Sequence, residues 1–119
     1  MHGREKRTAG DEVLDAIDAL LVALRESAVH NRNAARRAQT IRRVRSHGRR
    51  YTEILERTAA SASHRLTSQA AMAAVRASER LERAEVQALL AEGLEADRIA
   101  DICGMTPADV EVVIAAQQE

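Results

Sequence analysis

Apolar side chains near the N-terminus recur at intervals of three and four residues, which is the spacing of an amphipathic helix. The pattern predicts a first helix from about Asp11 to Val29, because Gly10 and Asp11 form a start signal and acidic residues follow in the first turns. The apolar stripe is wider than a strict coiled-coil seam. It must be buried either against the chain's remaining helices or against the same helix of a second copy. We expect the second arrangement, a homodimer formed through Val13, Ile17, Leu20, Leu21 and Leu24.

The remaining pattern predicts a second helix over about 33–46, ended by His47 and Gly48. A short segment anchored by Tyr51, Ile54 and Leu55 follows, and then a long alanine-rich helix over about 67–92. Two short helices, over about 95–103 and 107–117, complete the chain. The predicted organisation has three parts: an N-terminal amphipathic helix at 1–31, an arginine-rich helical segment at 32–66, and a long helix with the two short helices at 67–119.

The composition of the 119 residues fits one ordinary domain built from helices. Apolar residues make up 45% of the chain, but 24 of them are alanine, Tyr51 is the only aromatic residue and Pro107 is the only proline. A β-sandwich or a doubly wound sheet needs more β-branched and aromatic bulk. Alanine, leucine, arginine and glutamate favour helix instead. We therefore predict an all-α fold.

Charge is unevenly distributed, although 18 basic and 18 acidic side chains cancel. Residues 32–52 carry eight arginines and no acid, a net charge of +8, while residues 77–119 carry three basic and ten acidic side chains, a net charge of −7. One interpretation is that the basic middle packs against the acidic ends, within one chain or across a dimer. The other is a phosphate-binding surface, because arginine binds phosphate bidentately. That surface would use Arg36, Arg37, Arg42, Arg43, Arg45, Arg49 and Arg50.

The C-terminal stretch meets the physical requirements of a helix-turn-helix, in which a tight turn joins two helices. Ala100 is small enough for the place where the helices cross, and Gly104 can take the positive φ of the turn. Met105 is the apolar residue that fills the core after the turn. Thr106 is a good N-cap, and Pro107 suits the first position of the second helix. The whole pattern predicts a helical bundle with an N-terminal dimerisation helix, a long alanine-rich helix and a C-terminal helix-turn-helix.

This stretch resembles the small bacterial helix-turn-helix transcription regulators that are related to sigma factor region four. The resemblance covers about residues 81–116 and rests on Ala91, Glu92, Gly93, Leu94, Ile99, Ala100, Gly104, Thr106, Val110 and Ile114. It implies a DNA-binding regulator whose second helix enters the major groove. The positions that would face the bases include Thr106, Ala108 and Glu111.

The second helix departs from the family's pattern in its charge. Its outward positions are Thr106, Pro107, Ala108, Glu111, Val112 and Ala115, and no basic residue follows Arg98. Base-reading helices carry basic or amide side chains at such positions. One glutamate can accept a hydrogen bond from cytosine, but phosphate would repel the helix as a whole. The arginine segment is therefore the expected source of affinity.

Several other classes of function have no candidate residues. No apolar run approaches the ~20 residues of a membrane span, and no apolar signal region follows the charged N-terminus, so we expect no membrane partner. Cys103, the only cysteine, cannot form a disulfide within the chain, which fits a cytoplasmic protein. Four dispersed histidines and one thiol predict no metal site, and no other cofactor is expected. We also expect no enzymatic activity, since no catalytic constellation is present.

These patterns together predict a dimeric transcription regulator that binds double-stranded DNA. The alternative is a non-enzymatic helical interaction module, whose acidic helix-turn-helix docks a protein partner or its own dimer mate. Alanine substitutions at Arg42, Arg43 and Arg45 discriminate between the two hypotheses. Loss of DNA binding would support the first, and loss of folding or dimerisation would support the second.

Overall fold

The computed structural model of the chain describes residues 7–58 and 60–117, and every regular element within that part is an α-helix. The all-α prediction is therefore confirmed. Among residues 7–58 and 60–117, none of the helices combines the length and the hydropathy of a membrane span. In chain order the helices are α1 (Ala9–Ser46), α2 (Tyr51–Thr58), α3 (Ala60–Ala91), α4 (Ala96–Cys103) and α5 (Pro107–Gln117).

α1 is one continuous helix of 38 residues. The prediction of two helices, with a break between Val29 and Asn33, was wrong. No glycine or proline lies between Gly10 and Gly48, so nothing in the backbone forces the helix to stop. The alanines that follow Asn33 favour helix, so the polar stretch remains helical. α1 ends where Gly48 adopts a φ of 86°, as the sequence predicts.

The first turn of α1 is held by a reciprocal pair of hydrogen bonds between Thr8 and Asp11. The amide of Asp11 donates to Thr8 Oγ1 at 3.1 Å, and the amide of Thr8 donates to Asp11 Oδ2 at 3.0 Å. This is a capping box in which aspartate takes the usual place of glutamate. The hydrogen bonds from Thr8 lower the pKa of the Asp11 carboxyl. Thr8, rather than Gly10 or Asp11, is therefore the N-cap.

The middle of the chain also differs from the sequence prediction. α3 begins at Ala60, seven residues earlier than predicted, because no glycine or proline lies between α2 and residue 67. Of the three residues predicted to anchor the short segment, only Ile54 is buried. Tyr51 and Leu55 are 55% and 45% exposed. α2 is a single eight-residue helix, and only one of its faces meets the rest of its unit.

The chain forms two compact units, which divide it within α1 and within α3. The first, residues 1–20 and 76–119, contains 7 basic and 15 acidic side chains, a net charge of −8, and is called the acidic unit here. The second, residues 21–75, contains 11 basic and 3 acidic side chains, a net charge of +8, and is called the basic unit. The predicted segment boundaries after residues 31 and 66 fall inside the same two helices. The two folding units therefore carry opposite net charges of equal size.

The core of the acidic unit lies where the end of α3 meets α4 and α5. Val86, Ile99 and Val110 are fully buried there, and Ala100 is 3% exposed. Half-buried residues packed around this core include Leu89, Leu90, Leu94, Cys103, Met105, Val113 and Ile114. The basic unit has a thinner core, in which Ile54, Ser63 and Ala70 are buried. The strongest packing therefore supports the C-terminal helices.

Candidate nucleic-acid interface

A row of arginines follows one exposed face of α1 in the basic unit. Arg25, Arg32, Arg36 and Arg43 are separated by seven, four and seven residues, and all four are exposed. Such spacings keep side chains on one side of a helix. The row extends over about 27 Å, since a helix rises about 1.5 Å per residue. Arg25 was missed as a candidate, because it joins the others only when α1 is continuous.

Two of the predicted phosphate contacts are engaged inside the basic unit instead. A guanidinium nitrogen of Arg37 donates to the backbone carbonyl of Thr58, at the end of α2. Arg45 donates from Nη1 to the carbonyl of Arg49 at 2.9 Å, and its Cζ lies 4.5 Å from the centre of the Tyr51 ring. These contacts hold α2 and the preceding turn against α1. Arg37 and Arg45 are therefore structural groups in the unbound chain.

Arg49 and Arg50 share one carboxylate at the start of α2. Arg49 Nη1 lies 3.4 Å from Glu53 Oε2, and Arg50 Nη2 lies 3.6 Å from Glu53 Oε1. Both arginine side chains are more than half exposed. Exposed ion pairs of this length are weak and are easily exchanged for other partners. One carboxylate between two guanidinium groups also leaves a positive charge uncompensated.

The remaining predicted residues, Arg36, Arg42 and Arg43, are exposed near the C-terminal end of α1. Within the described part of the chain, none of their guanidinium groups takes part in an ion pair. Arg42 also borders a shallow hollow with Ile41 and His64. With respect to the described residues, three of the seven predicted arginines are therefore unpaired, two are weakly paired and two have a structural role.

The apolar stripe of α1 splits into two parallel rows, and this changes the predicted dimerisation surface. Val13 and Leu20 lie on the row that packs within the chain, and both are half-buried. Ile17, Leu21 and Leu24 lie on the neighbouring row and are 36%, 43% and 49% exposed. The exposed row also contains Leu14, which is 62% exposed and was not among the predicted dimerisation residues, and Ala28. Helical spacing indicates both rows, but it cannot tell which of them the chain itself covers.

α4 and α5 form a C-terminal helical pair joined by Gly104, Met105 and Thr106. Gly104 has a φ of 67°, and its amide and that of Met105 both donate to the carbonyl of Ala100. Thr106 caps α5, since its Oγ1 accepts a hydrogen bond from the Asp109 amide at 3.1 Å. The predictions of the turn glycine, of the N-cap and of Pro107 as the first residue of the second helix are confirmed. These local features depend on neighbours in sequence, which is why sequence reasoning found them.

The outer face of the helical pair is exposed, acidic and partly apolar. Thr106, Ala108 and Glu111, the positions carried over as base contacts, are all exposed. Ile102 and Val112 are 51% and 67% exposed on the same two helices. The exposed acidic side chains of the pair are Asp97, Asp101, Asp109 and Glu111, against the single arginine Arg98. This face is accessible, but its charge opposes phosphate.

Cys103 is half-buried where α4 meets the core. Burial raises the pKa of its thiol, and the nearby carboxylates of Glu85 and Glu82 raise the pKa further. The thiolate that a nucleophile or metal ligand requires is therefore disfavoured. Among the described residues, no group of three His, Cys, Asp or Glu side chains could hold a metal ion.

No family model, curated protein or solved structure matches this chain. The charges, exposures and contacts of its own residues are the basis for assigning a function.

Proposed function

We propose that this protein is a non-enzymatic, homodimeric helix-turn-helix regulator that binds double-stranded DNA, and that the basic unit makes the phosphate contacts. The observation that carries the proposal is the exposed arginine row of α1 in a unit of net charge +8. DNA carries about one negative charge per 1.7 Å of its axis, so Arg36 and Arg43, which lie about 10 Å apart along this row, can meet several phosphates. Arginine suits this task because its planar fork matches phosphate oxygens.

The phosphate contacts are assigned to the guanidinium groups that are available in the unbound chain. Arg36, Arg42 and Arg43 are exposed, and within residues 7–58 and 60–117 they form no ion pair that would have to break before they bind. Arg49 and Arg50 can exchange their weak contacts with Glu53 for phosphate. Arg37 and Arg45 support the basic unit and are not expected to contact DNA.

The helix-turn-helix supports a different role in the DNA complex from the one that its family resemblance implies. Its outer face carries four carboxylates and one arginine, which would weaken binding to the phosphate backbone. Sequence readout by Thr106 and Glu111 would then depend on the basic unit for affinity. Contacts to phosphate set position, whereas contacts to base edges set specificity. We therefore expect salt-sensitive binding with a modest preference among sequences.

The proposal is tested by titrating a labelled duplex with the full chain and following fluorescence polarisation from about 50 to 200 mM salt. The triple variant Arg36→Ala/Arg42→Ala/Arg43→Ala is expected to bind less tightly. Its plot of log affinity against log salt should have a slope smaller by about 2.7, since each phosphate contact contributes about 0.9. Absence of binding by the folded wild-type chain at low salt would overturn the proposal.

A matched control removes three arginines from the acidic unit. Arg76→Ala/Arg83→Ala/Arg98→Ala changes the net charge of the chain by the same amount as the test variant. We expect it to keep the wild-type salt slope, because these side chains lie outside the basic unit. Equal losses in the two triple variants would mean that the net charge of the chain, rather than the position of these arginines in the basic unit, sets the affinity.

A second candidate function is protein docking by the helix-turn-helix. The exposed side chains of Ile102 and Val112, on helices that also carry exposed acidic residues, favour it, because exposed apolar side chains are a feature of protein interaction surfaces. Val112→Ser would then abolish partner capture or assembly and leave the affinity for DNA unchanged. Pull-down with the wild-type chain and with the variant, alongside the polarisation titration, separates this role from DNA binding.

A further inference from the structure

The exposed row of α1 has the spacing of a coiled-coil seam. Leu14, Ile17, Leu21, Leu24 and Ala28 follow one another at three, four, three and four residues, and all five are exposed. This is the alternation that two helices use when they pack along each other. The buried row that contains Ala16 packs within the chain and is not available to a partner. A contiguous apolar seam of this kind marks an interaction surface.

A second row, of charged residues, runs beside the seam on its solvent side. Asp11, Asp18, Arg25 and Arg32 are each seven residues apart, and all four are exposed. In the heptad set by Leu14 and the rest of the seam they occupy one equivalent flanking position, the kind of position whose charges set the orientation of paired helices. The order of charges along α1 is therefore negative, negative, positive, positive.

We propose that a second copy of this chain covers the seam, with the two α1 helices antiparallel about a twofold axis near Leu21. The seam from Leu14 to Ala28 is centred at position 21, and the charged row from Asp11 to Arg32 is centred between positions 21 and 22. Reversing one helix about this centre brings each acidic side chain of the row beside an arginine of the partner chain. A parallel pair would not bring the two charged rows together, because each row would then face the opposite flank of the partner's seam, whose residues at positions 13, 20 and 27 are uncharged.

This assembly divides the arginine row between two tasks. Arg25 and Arg32 face the aspartates of the partner helix, while Arg36 and Arg43 lie beyond the seam and remain free for phosphate. The proposed homodimer thereby has a defined orientation of its two α1 helices, a defined register and a defined set of ion pairs between the chains. The antiparallel pairing rests on the proposed homodimer but not on the proposed DNA binding, since dimerisation and DNA binding are measured separately.

A charge-swap cycle read out by sedimentation equilibrium tests the orientation. Asp18→Arg or Arg25→Asp alone places like charges together at two symmetric contacts of the antiparallel pair. Each is expected to weaken dimerisation by about tenfold. The double variant Asp18→Arg/Arg25→Asp restores opposite charges, and we expect it to dimerise like the wild-type chain. Single variants that dimerise as tightly as the wild type would overturn the proposal, because only the antiparallel pair brings position 18 of one chain beside position 25 of the other.

The distance between two spin labels gives an independent test that leaves the charged row intact. Gln39 is exposed on α1, and in a Cys103→Ser background the variant Gln39→Cys takes a single label. Two labels are expected about 50 Å apart in the antiparallel pair, because each lies about 17 residues from the axis at about 1.5 Å per residue. A distance below about 20 Å would indicate parallel helices, which pack about 8–10 Å apart, and would overturn the inference.

The oligomeric state separates this inference from the proposed DNA binding. A wild-type chain that stays monomeric at all concentrations, yet binds duplex DNA with the expected salt slope, overturns the antiparallel pairing and leaves the DNA-binding proposal standing. A chain that dimerises with the long label distance but binds no DNA supports the pairing and overturns the DNA-binding proposal. Circular dichroism of each variant verifies that α-helix content is kept.

Discussion

Arg80 donates two hydrogen bonds to the carboxylate of Glu12, from Nε at 3.1 Å and from Nη2 at 2.8 Å, and so joins the first turns of α1 to α3. The two residues are 68 positions apart in sequence. Arg7 also donates to Glu12, at 2.8 Å. The hydrogen bonds from Arg80 lower the pKa of the Glu12 carboxyl, and those to Glu12 raise the pKa of the Arg80 guanidinium. This contact holds the N-terminus of α1 within the acidic unit.

Stability in acid should depend on this contact. Because the folded-state pKa of Glu12 lies below the ordinary value of 4.5, the contact stabilises the folded chain above that pH. The contribution is lost as the pH falls through the lowered pKa. Glu12→Gln should therefore reduce the free energy of unfolding at neutral pH, and the difference from wild type should shrink below the ordinary glutamate value. Urea unfolding at a series of pH values measures it, and Glu26→Gln, on the exposed surface of α1, is the control. A difference that stays constant down to strongly acidic pH would contradict this linkage.

The stacking of Arg45 on Tyr51 should stabilise the connection between α1 and α2. Tyr51→Ala is expected to destabilise the basic unit by about 0.5–1 kcal/mol, because the ring lies within cation–π distance of the guanidinium. Tyr51→Phe keeps the ring face and should retain most of that stability. Hydrogen exchange of the α2 amides in the two variants measures the effect. Equal losses in both would assign the effect to the hydroxyl group instead of the ring.

Gly104 and Gly10 should respond to alanine in opposite directions. Gly104 has a φ of 67°, so Gly104→Ala should cost about 1 kcal/mol although no atom within 4 Å would meet the new Cβ. Gly10 lies in the first turns of α1, and a Cβ there would lie 3.8 Å from Thr8 Oγ1, an ordinary contact. Gly10→Ala should therefore raise the free energy of unfolding by about 0.5 kcal/mol. Thermal unfolding compares the two, and a stable Gly104→Ala variant would show that the turn can relax.

Packing of the acidic unit should depend on Ile99 and hardly on Ile102. Ile99 is fully buried and Ile102 is 51% exposed on the same helix, which makes them a matched pair. Ile99→Ala is expected to lower the free energy of unfolding by about 2–5 kcal/mol through lost burial and a residual cavity. Ile102→Ala should stay within about 1 kcal/mol of wild type. Denaturant unfolding measures both, and similar losses would mean that a partner or the chain itself covers Ile102.

Local sequence signals predicted much of the acidic unit. Gly104, Thr106 and Pro107 specify the turn and the start of α5 through bonds to near neighbours, and the structure confirms them. The break predicted after Val29 was wrong, because the polar stretch there contains no glycine or proline and stays helical. The continuity of α1 in turn adds Arg25 to the arginine row. Because the sequence pattern predicted two helices instead of one, it indicated neither Arg25 as a member of the row nor the full length of the row.

Composition and neighbours a few residues apart are enough to predict the helical class, the caps and turns of the helical pair and the presence of opposite charges. The covered row of α1 is set by packing between helices, which buries Val13 and Leu20 in part and leaves Leu14 and Leu21 exposed. Such packing also decides which arginines are engaged, since Arg37 binds a carbonyl 21 residues away. Helical periodicity sets the angle between side chains of one helix. Which face of the helix packs against another helix depends on residues that are distant in sequence, and a local sequence pattern does not contain that information.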